Sequence, residues 1–137
     1  MRVSDCMQTN PITITPDDLV STAYQRMHGS KIRHLPVIEG EATLVGIVTD
    51  RDIRQAAASD EPHLAEHELT YLLDKMTVRD IMTTRVVTVR ADTPIAEAGG
   101  ILLHRKFGCL PVVDDSNTLQ GIITVTDLLE AYVRQHD

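Results

Sequence analysis

The apolar and polar positions of this chain follow two periods that predict mixed α and β structure. Residues 12–15 and 87–90 read Ile-Thr-Ile-Thr and Val-Thr-Val-Arg, and this period of two predicts short strands with one buried face. Cap residues and a proline follow in both places, and apolar residues then recur at helical spacing over 19–28 and 95–104. The pattern therefore predicts a strand and then a helix, twice.

A hairpin and a second helix are predicted after each of these helices, which we expect to stop near Gly29 and Gly108. Short apolar runs separated by polar turns indicate the hairpins, and Thr49 and Thr124 can cap the second helices. The predicted strands are 35–38, 44–48, 110–113 and 119–123, and the predicted helices are 50–58 and 125–133. The order in each half is β-α-β-β-α.

The two halves are copies of one sequence pattern. A shift of 75 residues aligns 3–58 with 78–133 without a gap, and 18 of the 56 aligned positions are identical. One copy alone would expose an apolar sheet face, and two copies can bury that face against each other about a pseudo-two-fold axis. We therefore predict an α+β fold in which 1–137 is a single module, with repeat 1 at 3–58, a connector at 59–77 and repeat 2 at 78–133.

The connector is acidic and contains a candidate metal pattern. No Lys or Arg occurs from Gln55 to Asp74, and residues 63–76 are compatible with a helix. His63 and His67, in the string His-Leu-Ala-Glu-His, would lie four positions apart on one helix face, which is half of a zinc site. Because no third ligand is visible, we interpret the segment as a solvated acidic helix and predict no metal site.

Charge and hydropathy exclude several classes of protein. The 137 residues contain 13 Lys and Arg against 20 Asp and Glu, and the net charge of −7 argues against a nucleic-acid or anionic-membrane binder. No run approaches the roughly 18 apolar residues of a membrane span, and the first ten residues lack the apolar core of a signal peptide. We expect a cytoplasmic protein. Cys6 and Cys109 lie far apart in no ligand spacing, and we expect them to be small buried hydrophobes.

One motif occurs once in each repeat and suits a ligand. Gly-h-h-Thr-x-x-Asp, where h is apolar, covers 46–52 and 121–127. A Thr at the mouth of a helix, beside free backbone N–H groups, suits a phosphate, and the Asp of the first turn could accept both hydroxyls of a ribose. The structural alternative is a capping box, in which Thr and Asp bond each other's backbone. The sequence leaves both interpretations open.

Recognisable catalytic patterns are missing from the sequence. There is no P-loop, no Gly-x-Ser-x-Gly elbow and no nucleophile beside a base in a local pattern. We interpret His28 and His34 as packed or rim residues. The sequence therefore predicts a binding protein with no catalytic residues rather than an enzyme.

The doubled pattern resembles a tandem pair of cystathionine β-synthase (CBS) domains, the Bateman module, over nearly the whole chain. The matching elements are Asp-x-Met at 5–7 and 80–82, Leu-Pro-Val at 35–37 and 110–112, and the two Gly-to-Asp motifs. The strings at 32–37, 49–52 and 108–112 are similar to the CBS portion of bacterial acetoin-utilization-type proteins. The resemblance implies two related adenosine-ligand sites, each combining the Thr-x-x-Asp of one repeat with the first strand of the other.

The resemblance also assigns residues to these two sites. In the first, Asp52 would bind the ribose and Thr49 the ribose or a phosphate, Arg85 and Val87 would line the base, and His104, Arg105 and Lys106 would lie near the phosphates. In the second, the corresponding residues would be Asp127, Thr124 and Thr126, with Asn10 and Ile12 lining the base and Gly29, Ser30 and Lys31 replacing the His-Arg-Lys triplet. With more cationic side chains, the Asp52 site is expected to favour a multiply charged ligand.

The implied function is a regulatory, non-catalytic sensor of AMP, ADP or ATP that needs no cofactor and signals through the arrangement of the module or of a dimer. An S-adenosylmethionine or NAD(H) sensor and a ligand-free structural or dimerisation module are the alternatives. A third class is a metal- or redox-dependent protein using His63, His67 or Cys109. The expected partners are an adenosine-containing small molecule, a second copy of the chain and a separate effector protein, with no membrane and no nucleic acid.

Overall fold

The computed structural model of the chain describes residues 1–57 and 66–136. Two compact units are present, and neither is a contiguous repeat of the sequence. We call Ile12–Glu39 together with Val45–Arg85 the repeat-1 unit, and Met1–Pro11, Gly40–Leu44 and Val86–Asp137 together the repeat-2 unit. Each unit is built around its own apolar core.

The two hairpins and the helices before and after each of them follow the predicted order. The helices and strands are β1 (Gln8–Thr9), α1 (Val20–Ser30), β2 (His34–Glu39), β3 (Thr43–Thr49), α2 (Asp50–Ala56), α3 (Glu66–Leu73), α4 (Val78–Ile81), α5 (Ile95–Arg105), β4 (Cys109–Val113), β5 (Leu119–Thr124) and α6 (Val125–Gln135). A short 3-10 helix, Val3–Asp5, precedes β1. This mixture of helices and strands in two repeats confirms the α+β fold class. The 3-10 helix, β1 and α4 are additions that the apolar pattern does not predict.

The strands predicted at 12–15 and 87–90 are reduced to single residues. Only Ile14 and Val89 form bridges, each parallel, to Val37 of β2 and Val112 of β4. The next backbone N–H in each segment is bonded within a local turn instead, because the Thr15 N–H donates to the Asp18 carboxylate at 2.9 Å. In the same way, the N–H of residue 90 donates to the Thr93 hydroxyl at 3.0 Å. The prediction of full strands was wrong for this local reason.

The first helix of each repeat ends close to the glycine that the sequence suggested, and the residue that follows the helix is a lysine. Helix α1 continues through Gly29 and is followed by Lys31 with φ 56°, and α5 ends at Arg105 and is followed by Lys106 with φ 57°. Both lysines therefore adopt the left-handed conformation that usually favours glycine. They align under the 75-residue shift, so both copies use the same end for this helix.

Each core is formed by the faces that the periodicity predicts to be apolar. In the repeat-1 unit, Ile14, Leu35, Val48 and Ile53 are almost fully buried together. The repeat-2 unit buries the corresponding side chains, which are Val89, Leu110, Ile123 and, half-buried, Leu128, together with Ala98 and Leu102 of α5. Complete burial of one such side chain stabilises a fold by about 1.5–3 kcal/mol, so these few positions dominate the stability of each unit.

The opening segment of each repeat belongs to the unit of the other repeat. Val3 is fully buried in the repeat-2 core, and its N–H donates to the carbonyl of Thr93 at 2.9 Å. Val78 is fully buried in the repeat-1 core, and its N–H donates to the carbonyl of Asp18 at 2.9 Å. The two arrangements match residue for residue, so the segments are exchanged symmetrically. The organisation of 1–137 as one module with the bounds given above stays a prediction.

Two glycines allow the exchanged segments to lie against the hairpins. In the repeat-2 unit β1 pairs with β5 and places Thr9 opposite Gly121, where an added Cβ would lie 2.5 Å from the carbonyl oxygen of Gln8. In the repeat-1 unit a Cβ on Gly46 would lie 2.8 Å from the carbonyl oxygen of Thr83. No real Cβ tolerates such distances from a backbone atom, so the glycine of each Gly-to-Asp motif has a packing role.

Gly121→Ala is expected to lower the free energy of unfolding by about 1–3 kcal/mol, because the new methyl group must push the backbone of β1 away from β5. Gly100→Ala is the matched control. It lies in α5 with no atom within 4 Å of the added Cβ, so it should raise stability by roughly 0.5–1 kcal/mol through helix propensity. Urea denaturation of the three proteins measures both changes, and equal stability of Gly121→Ala and wild type would contradict the packing role.

Candidate ligand-binding site

Each Gly-to-Asp motif lies where a strand of the hairpin runs directly into a helix. Thr49 is the last residue of β3 and α2 begins at Asp50, whereas Thr124 is the last residue of β5 and α6 begins at Val125. Both threonines have extended backbone angles, so each acts as the N-cap of its helix. The sequence prediction that a Thr opens each second helix is confirmed.

A capping box forms at both junctions. The Thr49 N–H donates to the Asp52 carboxylate at 2.9 Å, and the Asp52 N–H donates to the Thr49 hydroxyl at 3.1 Å. The corresponding distances for Thr124 and Asp127 are 2.8 and 3.2 Å. The capping alternative is therefore realised in both copies. Any ligand bound by these carboxylates would share them with the backbone of their own helix.

Capping alone does not distinguish a binding motif in this chain. Thr77 and Asp80 form one half of such a box at α4, where the Thr77 N–H donates to the Asp80 carboxylate at 3.0 Å and the Asp80 N–H donates to the carbonyl of Thr77 at 3.0 Å. That Thr follows no glycine-containing strand. The 46–52 and 121–127 motifs differ because each follows a strand against which an exchanged segment packs, whereas Thr77 and Asp80 belong to an exchanged segment themselves.

The mouth of α2 offers fewer free N–H groups than the sequence suggested for a phosphate. The N–H groups of Thr49 and Asp52 are bonded in the capping box, and the Asp50 N–H donates to the carbonyl of Arg33 at 2.9 Å. Three of the backbone donors at this helix entrance thus have partners within the protein. A phosphate in this region would depend on side chains rather than on the helix N-terminus.

The exchanged segments run along the strands that lead to the motifs. Gln8 lies opposite Ile122 of β5, and Thr83 lies opposite Ile47 of β3, which is the same register in both copies. This arrangement places Asn10 in the unit of Asp127, and it places Arg85 in the unit of Asp52. Asn10 and Arg85 are both exposed. The resemblance assigned these two residues to the sites of those aspartates, and their role in binding stays a prediction.

The two aspartates differ in their surroundings. Asp127 is only 6% exposed, and its carboxylate accepts hydrogen bonds from Gln8 Nε2 at 3.0 and 3.3 Å and from the Thr124 hydroxyl at 3.0 Å. Asp52 is half-buried, and the residue that aligns with Gln8 beside it is Thr83, which has no amide. The repeats therefore present chemically different carboxylates.

Thr126 lies in the same unit as the motif to which the resemblance assigned it, and the other remaining residues lie in the other unit. Val87 is half-buried against the repeat-2 core, Thr126 is exposed in the first turn of α6, and Ile12 and Lys31 are exposed residues of the repeat-1 unit. His104, Arg105 and Lys106 are exposed at the end of α5, in the repeat-2 unit. Their participation in a site stays a prediction.

Sequence reasoning did not identify Gln8 or Thr83. Neither residue belongs to a motif, and both lie in segments that the apolar pattern left without structure. The signal that could have found them is the 75-residue alignment itself, which pairs a glutamine with a threonine beside otherwise similar aspartates.

The pKa values of both cysteines and of His34 are shifted in the direction that favours the neutral form. Burial raises the pKa of the Cys109 thiol to about 12, and burial is also the largest cause of the raised pKa of Cys6. Burial and, to a smaller extent, the neighbouring Arg33 lower the pKa of His34. Cys109 is thus buried as expected, and its environment disfavours a reactive thiolate. Cys6 is only half-buried, so the expectation of two buried cysteines was wrong for Cys6.

No group of three or more potential metal ligands occurs among the residues that the structure describes. Of the string from His63 to His67, residues 63–65 lie outside the described residues, and only Glu66 and His67 belong to a described element, α3. Within the described part of the chain, no helix is both long and apolar enough to cross a bilayer.

Comparison with known proteins identifies the family. The CBS domain family model matches the chain twice, at residues 3–59 and 78–134. The chain belongs to the CBS domain family, as a tandem CBS pair. A CBS domain-containing protein of Dictyostelium discoideum is 33% identical over 134 residues, which cover 96% of this chain and 91% of that protein.

Solved CBS pairs share this fold over almost their whole length. A crystal structure of CBSX2 in complex with AMP is 32% identical, with a TM-score of 0.85, 99% of this chain covered and 98% of that chain. The structure described as an acetoin utilization protein (AcuB) of Vibrio cholerae is 28% identical, with a TM-score of 0.83, and coverage of 99% and 93%. The CBS pair of protein MJ0100, in complex with 5-methylthioadenosine and S-adenosyl-L-methionine, is 27% identical with a TM-score of 0.82, and 98% of each chain is covered.

Some curated relatives are much longer enzymes. The chain matches 25% of a homoserine O-acetyltransferase of Methanocorpusculum labreanum at 36% identity, and 21% of an inosine-5′-monophosphate dehydrogenase of Methanocaldococcus jannaschii at 37% identity. The CBS pair is thus only a part of those proteins, and their enzyme names describe longer chains than the matched segment.

The lowered pKa of His34 predicts a pH dependence of stability. Its neutral form is favoured in the folded state, so the unfolded state binds more protons as pH falls below its unfolded pKa of about 6.5. This contribution to stability is complete above pH 6.5 and is lost as pH falls toward the lowered folded pKa. His34→Gln should flatten the pH dependence of urea stability in this window. His28→Gln, at an exposed position, controls for the replacement of a histidine by glutamine. An unchanged pH dependence of stability in His34→Gln would refute the role given to His34.

Proposed function

We propose that this CBS pair is a regulatory, non-catalytic module that binds an adenosine-containing ligand such as AMP, ADP or ATP. The observation that carries the proposal is the pair of carboxylates, Asp52 and Asp127, each held at a strand-to-helix junction beside an exchanged segment. Support comes from the match to CBSX2, solved with AMP, over 98% of that chain. Two hydroxyls of a ribose need one acceptor group with two oxygens, which a carboxylate provides.

Asp52 is the preferred ribose acceptor in this proposal. Thr49 would contact the ribose or a phosphate, Arg85 and Val87 would line the base, and His104, Arg105 and Lys106 would meet the phosphates. In the second site Asp127 would bind the ribose, and Thr124 and Thr126 would contact the ribose or a phosphate. Asn10 and Ile12 would line the base, and Lys31 would lie near the phosphates. Because α2 has most of its first backbone donors already bonded, phosphate affinity would depend on these cationic side chains.

An S-adenosylmethionine-type ligand is the second candidate, because the MJ0100 pair was solved with S-adenosyl-L-methionine and 5-methylthioadenosine. Both candidates share the adenosine group, and they differ in the charge on the 5′ side. Either ligand would act by binding two arrangements of the module with different affinity, which is the general requirement for a signal. The output would pass to a separate effector protein.

AMP and ATP are expected to raise the melting temperature of the wild-type protein, and Asp52→Ala should remove most of this increase. At a ligand concentration one hundred times the Kd, the free energy of unfolding rises by about 2.7 kcal/mol, which thermal-shift measurements readily detect. Asp80→Ala is the control, because it removes a carboxylate that accepts from the N-cap backbone of α4, outside the two motifs. It should lose stability without losing the ligand response.

The contrary outcome is equally clear. No shift with AMP, ADP, ATP, NADH or S-adenosylmethionine would eliminate the sensor proposal and leave the ligand-free structural or dimerisation module. A shift with S-adenosylmethionine alone would select the second candidate.

We also propose a homodimer that buries the outer face of α6. Leu129, Tyr132 and Val133 are each at least 60% exposed, and Val125 is 45% exposed, so one helix face presents four large apolar side chains. Such a contiguous face is typical of an interaction surface. The double variant Leu129→Glu, Tyr132→Glu should convert the dimer into a monomer in sedimentation at micromolar concentration, whereas a wild-type protein that sediments only as a monomer would overturn the proposal.

A further inference from the structure

The two carboxylates of the proposed sites are not equally accessible to a ligand, and the difference is a single side chain. Gln8 Nε2 lies 3.0 Å from Oδ1 and 3.3 Å from Oδ2 of Asp127. Oδ2 also accepts from the backbone N–H of Thr124 at 2.8 Å and from its hydroxyl at 3.0 Å. A carboxylate offers about four acceptor positions. The protein itself therefore uses most of the hydrogen-bonding capacity of Asp127.

The amide approaches Asp127 because of the exchanged segment. Backbone pairing of β1 with β5 fixes Gln8 opposite Ile122, two residues before the capping Thr124. Gly121 permits this close approach, since its missing Cβ leaves room for the carbonyl of Gln8. The glutamine backbone is thus held in place, while the residue as a whole is exposed. Its side chain can leave the carboxylate by changing rotamer, without a change in the strand.

The same register in the other copy holds a different side chain. Thr83 lies opposite Ile47, and its backbone exchanges two hydrogen bonds with that residue at 3.0 and 2.9 Å. Threonine has a hydroxyl on its β-carbon and no amide, so it cannot reproduce the contact of Gln8. Asp52 is also the more exposed of the two aspartates. The repeats therefore share a backbone arrangement and differ in what stands beside the carboxylate.

We propose that Gln8 occupies the ribose-binding carboxylate Asp127 in the unliganded protein, and that it thereby makes the repeat-2 site the weaker of the two. This inference rests on the proposed function. A ribose diol must displace the amide from a charged acceptor before it can bind, and a hydrogen bond to a charged group is strong enough to lower affinity roughly tenfold or more. The Asp52 site fills first, and Gln8 sets the concentration at which the second site responds.

Titration calorimetry with AMP on variants that isolate each site tests this inference. Asp52→Ala leaves the repeat-2 site, and adding Gln8→Thr to it installs the residue that the other repeat has at the same register. AMP affinity is expected to rise roughly tenfold or more. Asp127→Ala leaves the repeat-1 site, and adding Thr83→Gln to it should lower affinity by a similar factor. The control is Gln120→Thr, which removes an exposed amide on the neighbouring strand β5 that contacts Asp114 and Thr118 instead, and it should change neither affinity.

The outcomes separate this inference from the function on which it rests. If wild type binds AMP and Gln8→Thr leaves the affinity of the repeat-2 site unchanged, the occupation by Gln8 is refuted and the sensor function stands. A weaker repeat-2 site in Gln8→Thr would also overturn the inference, since Gln8 would then be a ligand contact. If no protein in the series binds AMP, ATP or S-adenosylmethionine, the proposed function fails and the inference fails with it. The reciprocal Thr83→Gln variant keeps the test decisive if either substitution impairs folding.

Discussion

A backbone carbonyl packed against a strand glycine is the contact on which both units depend. At Gly121 and Gly46 an added Cβ would lie 2.5 and 2.8 Å from the carbonyl oxygens of Gln8 and Thr83. Because these positions have no side chain, the opening segment of each repeat can lie against the hairpin of the other. That placement completes each core with a fully buried valine, Val3 or Val78. The fold and the candidate site therefore both require a residue without a side chain at Gly46 and at Gly121.

The aspartate of each motif serves the helix and the proposed ligand with the same carboxylate. A capping box uses it to satisfy the backbone at the start of α2 or α6, which orders the side chain before any ligand arrives. A group fixed in this way loses little conformational freedom when it binds. Capping and binding, which compete as interpretations of the sequence, are therefore compatible in the folded protein.

Duplication has preserved the backbone of the two units more closely than their polar side chains. The exchanged segments, the capping boxes and the left-handed lysines recur at aligned positions. The aligned residues Gln8 and Thr83 differ, however, so Asp127 has an amide beside it and Asp52 does not. Symmetry of the fold therefore does not require equal sites, since one side chain at a shared register is enough to distinguish them.

The sequence by itself determined the α+β class, the two β-α-β-β-α repeats and both capped motifs, because helical and strand periods and Thr-x-x-Asp caps are local properties. It overestimated the strands at 12–15 and 87–90, where side chains in the adjoining turns capture the backbone donors. The local pattern cannot choose which repeat each opening segment completes, because the two segments are similar. The family resemblance implied an exchange, and the tertiary structure shows the packing of Val3 and Val78 that produces it. Only the tertiary structure decided the pairing of Gln8 with Asp127, 119 positions apart, because no period links residues that meet only through an exchanged strand.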